Sequence, residues 1–160
     1  PICAVNGAVF DALNAGAVDF VAKPDYKTSR GVEHFIGEMV KKIKIAARAK
    51  VGLRKQAVYG ERVFAGLESK KRGAVIAIGA STGGTEAIYS ILKGLPRDIP
   101  GILIVQHMPP MFTKLYAERL NKACAIEVSE AQNKDVVRSG KALIAPGDFH
   151  MRLKKFGSGE

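Results

Sequence analysis

Ser81 is the residue best placed in this chain to attack a carbonyl. It lies within Val75-Ile-Ala-Ile-Gly79-Ala-Ser81-Thr82-Gly83-Gly84-Thr85, a short apolar run followed by a glycine-rich turn. Behind the turn, Ala87, Ile88, Ile91, Leu92 and Leu95 recur at helical spacing. Ser81 is thus expected between the end of a strand and the start of a helix. Backbone N–H groups are unpaired there and the helix dipole favours negative charge, which suits a nucleophile whose transition state grows an oxyanion. Gly79-x-Ser81-x-Gly83 also has the spacing of a nucleophile elbow. Similar turns cradle phosphates or serve structure alone. The dinucleotide fingerprint is missing, because Ala80 and Ser81 follow Gly79, and no Gly-Lys-Ser/Thr closes a P-loop.

His107 tips the balance. A second apolar run, Ile102 to Val105, is followed by Gln106-His107-Met108-Pro109-Pro110. With the intervening helix these segments form one βαβ unit, which brings Ser81 and His107 to C-terminal strand ends. Open α/β sheets place their ligand crevices on that edge. Adjacent strands are roughly 4.8 Å apart, close enough for side chains to reach one another. Alone, His107 reads as a loop histidine held by a backbone carbonyl. Paired with Ser81, it reads as a general base.

The elements that position this pair follow from hydrophobic pattern. Val75 to Ile78 is a continuous apolar run, as in a parallel strand covered on both faces. Phe112, Leu115, Tyr116 and Leu120 give a helix that starts after Pro109-Pro110, and Ala125–Val128 and Lys141–Ala145 read as strands. Met151–Phe156 is a further strand candidate. Met108 and Met111 either line a cleft or plug the core.

Gly79-Ala-Ser-Thr-Gly-Gly-Thr85, Val105-Gln-His-Met-Pro-Pro110, Phe112-Thr113, Ala117-Glu-Arg-Leu-Asn121, Ala145-Pro-Gly-Asp148 and His150-Met151 resemble the chemotaxis protein-glutamate methylesterase family, CheB. The series keeps the family's order and spacing over about the last ninety residues, which is more specific than any single motif. The resemblance implies hydrolysis of glutamate γ-methyl esters, and deamidation of glutamines, on methyl-accepting chemotaxis receptors. It implies Ser81 as nucleophile, His107 as its base, and the Thr82 N–H with Gly83 as oxyanion support. His150 falls in the family's Pro-Gly-Asp-x-His pattern, where a structural or substrate-side role is expected. The family's histidine-orienting aspartate lies beyond Glu160; Asp98, Asp135 and Asp148 do not match it, and Asp148 reads as part of a Pro-Gly-Asp turn. Without that carboxylate this chain is expected to turn over slowly, by a factor on the order of 10⁴ in the best-studied triad. A non-catalytic docking fragment and a phosphate-binding module are the alternatives.

Upstream, Asp11-Ala-Leu-Asn-Ala-Gly16-Ala-Val-Asp-Phe-Val-Ala-Lys23-Pro24 resembles the end of a two-component receiver. A short helix capped by Gly16, a strand Val18–Ala22, and Lys23 as the contact to a phosphorylated aspartate are implied, with a Lys-Pro bond that is typically cis. The resemblance further implies a chemotaxis histidine kinase as phosphodonor. It also implies Mg²⁺ in an acidic pocket upstream of Pro1. No cofactor is otherwise expected, and metal ligation is not indicated because His/Cys/carboxylate clusters at ligand spacing are lacking. Val32, Phe35, Ile36, Met39, Val40, Ile43 and Ala46 then form a helical stripe, with Ser29 as N-cap. His34 lies beside it and needs no special role.

The expected organisation is therefore α/β. Residues 1–47 are the C-terminal part of a flavodoxin-like receiver, 48–72 a basic linker, and 73–160 the first part of a doubly wound, mostly parallel methylesterase domain. The chain reads as an internal piece of a longer protein. Lys and Arg total 25 against 15 acidic residues, a net charge of +10, with much of the excess between Lys41 and Arg72. A solvated linker accounts for that better than nucleic acid, since recognition motifs and interleaved aromatics are lacking. No run approaches membrane-spanning length and no signal-peptide pattern is present. Cys3 and Cys124 have no framework spacing and fit a reducing cytoplasm.

Overall fold

The computed structural model describes residues 6–24, 29–49 and 73–155. Its elements are α1 (Asn6–Asn14), α2 (Ser29–Ala46), β1 (Val75–Ala80), α3 (Gly84–Lys93), β2 (Gly101–Gln106), α4 (Phe112–Ala123), β3 (Glu127–Glu130) and β4 (Lys141–Ile144). The four strands form one parallel sheet in the order β1-β2-β4-β3. The chain is α/β, as its pattern indicated, and the βαβ unit of β1, α3 and β2 is present.

Side chains alternate across each strand. Ile76 and Ile78, Ile102 and Ile104, Ala142 and Ile144, and Val128 therefore share one face. α3 and α4 cover that face: Ile88 and Leu92 from α3 and Phe112, Tyr116 and Leu120 from α4 pack with it in a single core. Both helices are amphipathic, and α3 carries Glu86 in its first turn and Lys93 in its last, each matched to the dipole. The Tyr116 hydroxyl donates to the Thr85 carbonyl at 2.7 Å, tying α4 to the first turn of α3.

α1 ends as its glycine requires. Gly16 takes φ +110, and the N–H groups of Gly16 and Ala17 donate to the carbonyls of Leu13 and Ala12 at 3.1 and 2.9 Å, the Schellman arrangement. Phe10 stacks on Tyr116 with ring centroids 5.7 Å apart, and Phe20 meets Phe112 at 4.9 Å. The N-terminal segment thereby joins the same core.

Several expectations fail for lack of a neighbour. Among the described residues β1 is an edge strand and is not covered on both faces: Val75, Ala77 and Gly79 are exposed, as is Val105 beside them. Val18–Ala22 forms no strand, since it has no ladder partner among the described residues and an isolated strand has little to hold it. The α2 stripe is only partly packed, and Ile36, Val40 and Ile43 remain exposed. The Lys23–Pro24 bond is trans. Residues 151–155 form no strand. Met108 is buried in the core while Met111 is exposed, so the two methionines divide the roles between them. Cys3, Phe156, linker residues 50–72 and the side chain of Ser29 lie outside the described residues.

Candidate active site

The parallel register aligns Ala80 with Gln106. Ser81 and His107, one residue further on each strand, leave the sheet side by side. The His107 N–H donates to the Ala80 carbonyl at 3.0 Å, carrying the pairing of β1 and β2 one step past the last ladder residues. Both residues are exposed. Ser81 Oγ and the His107 ring make no hydrogen bond to each other in this state, and such contacts commonly tighten only around a substrate.

Gly83 occupies the N-cap of α3 with φ +77, a left-handed conformation that a glycine adopts without steric cost. Gly84 is required for a different reason. A β-carbon there would lie 2.2 Å from Gln106 Oε1 and 2.6 Å from the Ala80 β-carbon. The turn can therefore sit flat on the strand ends only with no side chain at that position. The Gly84 N–H donates to the Ser81 carbonyl at 2.7 Å. α3 begins three residues after Ser81, and the N-terminal end of a helix, with its unpaired N–H groups, favours negative charge.

Two features of the site were not foreseen. Gln106 is buried, and its Nε2 donates to the carbonyls of Ser81 at 2.9 Å and His107 at 3.3 Å. A polar residue continuing the alternation Ile102, Ile104 on a core face was the sequence signal for it. Asp19 had no such signal, because its contact spans the chain. The Thr82 hydroxyl donates to Asp19 Oδ2 at 2.9 Å. Lys42 donates to Asp19 Oδ1 at 3.3 Å and to the Phe20 carbonyl at 2.7 Å. The N-terminal segment thus rests on the turn that carries Ser81.

The remaining strand ends buttress the His107 loop. Gly147 presses so closely on Met108, Pro109 and Pro110 that a β-carbon would lie 2.5 Å from the Pro110 nitrogen. The Gly147 N–H donates to the fully buried Thr113 hydroxyl at 3.1 Å, and that hydroxyl donates to Glu130 Oε1 at 2.5 Å. Asp148, at φ +64, completes the expected turn, closed by the Phe149 N–H donating to the Pro146 carbonyl at 3.2 Å. His150 and Lys23 are exposed and are not brought to the Ser81–His107 pair by any hydrogen bond or ion pair. Among the described residues, no cluster of three His, Cys, Asp or Glu could hold a metal.

Comparison with known proteins identifies the family of the chain. Residues 76–160 match the family model for CheB methylesterase. The chain is 54% identical over 154 residues to protein-glutamate methylesterase/protein-glutamine glutaminase 2 of Syntrophomonas wolfei, a match covering 96% of this chain and 45% of that protein. It is 46% identical over 149 residues to the protein-glutamate methylesterase/protein-glutamine glutaminase of Salmonella typhimurium, covering 92% of this chain and 42% of that one. A crystal structure of the Thermotoga maritima CheB methylesterase catalytic domain matches with a TM-score of 0.50 at 45% identity, over 52% of this chain and 44% of the other. The chain spans a little under half the length of these curated relatives.

Proposed function

Because this chain belongs to the CheB methylesterase family, we propose that it carries the nucleophile and base of a protein-glutamate methylesterase that also deamidates glutamine. The observation that carries this reading is the side-by-side exit of Ser81 and His107 from paired strands at the N-terminus of α3. In the reaction, Ser81 Oγ attacks the γ-carbonyl carbon while His107 accepts the hydroxyl proton. The carbonyl oxygen becomes an oxyanion facing the Thr82 N–H beside Gly83. The ester bond then breaks, and methoxide departs as methanol with the proton returned by His107. With a glutamine substrate, ammonia leaves in its place. Water attacks the acyl-enzyme, His107 takes its proton and passes it to Ser81, and a γ-carboxylate is released.

Substrates in this reading are methylated glutamates on chemoreceptor helices. Residues 1–47 serve as the end of a receiver that takes phosphate from a histidine kinase, with Lys23 as its contact to the phosphoryl group and Mg²⁺ held elsewhere in that receiver. Regulation through the N-terminal segment is supported by the hydrogen bond from Thr82 to Asp19, which links that segment to the residue after the nucleophile. Labelling with a fluorophosphonate probe tests the chemistry directly. Mass spectrometry is expected to find the adduct on Ser81, none in Ser81→Ala, and a rate at least 100-fold lower in His107→Ala. An adduct elsewhere, or unchanged labelling in Ser81→Ala, defeats the assignment.

A further inference from the structure

Gln106 does more than join two strand ends. Its side chain lies on the core face of β2 and is 7% exposed. Nε2 donates to the Ser81 carbonyl at 2.9 Å and to the His107 carbonyl at 3.3 Å. The Ser81 carbonyl also receives the Gly84 N–H at 2.7 Å. A peptide unit is planar and trans, so its carbonyl oxygen and its N–H point in opposite directions. Two donors that hold the Ser81 oxygen inward therefore turn the Thr82 N–H outward, to the side where the reacting oxygen would sit. Gly83, at φ +77, adds no side chain to that hold, so the orientation of the plane rests on these two donors and on the Thr82 hydroxyl bound to Asp19.

We propose that Gln106 is a positioning residue for the reaction, its buried amide holding the Ser81–Thr82 peptide so that the Thr82 N–H faces the developing oxyanion. The inference rests on the esterase reading above and deepens it. Gln106 Oε1 supplies a second argument, since it is buried with no hydrogen-bond partner among the described residues. A site that needed only packing would be served by an apolar side chain of the same length, without an orphaned carbonyl. The amide is kept although half of it is unsatisfied, which fits a requirement for the two donations made by the other half. One planar group then sets the peptide beside the nucleophile and the backbone of the base together.

The test uses the full chain as wild type, Gln106→Met and Gln106→Glu. Fluorophosphonate labelling rates are measured from pH 6 to 9, and the Thr82 backbone amide is followed by ¹⁵N NMR. Met fills the same space without donors, so labelling of folded Gln106→Met is expected to fall about ten- to 100-fold, less than the roughly 10²–10³ lost when an oxyanion donor is removed outright, because the Thr82 N–H is misdirected and not deleted. Glutamate cannot donate when ionised but can when protonated. The rate of Gln106→Glu relative to wild type is therefore expected to rise as pH falls, a response that loss of packing alone would not give. Labelling of folded Gln106→Met within two-fold of wild type overturns the proposal, as does a flat ratio for Gln106→Glu. Should Gln106→Met not fold, the Gln106→Glu ratio decides. If wild type is not labelled at Ser81, the esterase reading falls instead. The Thr82 amide then decides the peptide hold separately, since an unchanged resonance and exchange rate in Gln106→Glu at pH 8 would overturn it.

Discussion

Thr82 is gripped on its side chain by Asp19 and, through the peptide that precedes it, by Gln106. The two grips act differently on the chemistry. Gln106 brings donors to a carbonyl, whereas Asp19 sets a carboxylate beside the turn that accepts negative charge in the proposed reaction. A like charge several ångströms from a partly solvated oxyanion opposes it by about 1 kcal/mol, even where a cation such as Lys42 offsets part of the field. Asp19→Asn keeps the shape and removes the charge. Its labelling rate at Ser81 is expected to rise about five-fold, measured beside wild type at low ionic strength. An unchanged rate would mean that the Asp19 carboxylate does not oppose attack.

Between elements, the contact that fixes the start of α3 is the buried Tyr116 hydroxyl on the Thr85 carbonyl. Burial, then the charge of Glu86, pushes the Tyr116 phenol well above its ordinary value. An acid whose folded pKa is raised stabilises fully below its unfolded pKa, here about 10, and that contribution is lost as pH rises beyond it. Burial raises the Cys124 thiol in the same direction, so its contribution begins to fall first, above about pH 8.5. Tyr116→Phe is expected to cost about 1 kcal/mol at pH 7 and to flatten the loss between pH 10 and 11, read from urea midpoints. An equally steep alkaline loss in the variant would remove Tyr116 as its source. Elements set by local pattern were legible in advance: α3, α4, β2 and the Gly16 cap follow from apolar spacing and turn chemistry. The placement of Ser81 and His107 at neighbouring strand ends was legible too, because a short βαβ unit leaves few ways to place two such ends. What depended on distant partners was not. Val18–Ala22 has strand composition without a ladder, the α2 stripe lacks a full cover, and Asp19 reaches Thr82 across the chain.

Taken whole, the sheet is uneven. β2 is hydrogen-bonded on both sides by β1 and β4, while β1 has a free outer edge and an open face among the described residues. His107 therefore follows a central strand and Ser81 an edge strand. Opening free energies generally fall from core strands toward weakly supported ones. Hydrogen exchange is expected to protect the Ile102 and Ile104 amides most strongly, with the β1 amides exchanging at least ten-fold faster. Equal protection across β1 and β2 would show that the outer face of β1 is covered in solution.

The turn between α3 and β2 lies at the opposite end of the sheet from Ser81, with Arg97 and Asp98 exposed between buried Leu95 and Ile99. Six residues of β2 separate it from His107, about 20 Å at strand rise. The position suits an inserted peptide tag. A short flexible epitope spliced between Arg97 and Asp98 would sit on the βαβ unit at the far end of β2 from Ser81 and His107, giving a handle by which the chain could be immobilised with that opposite edge open to solvent.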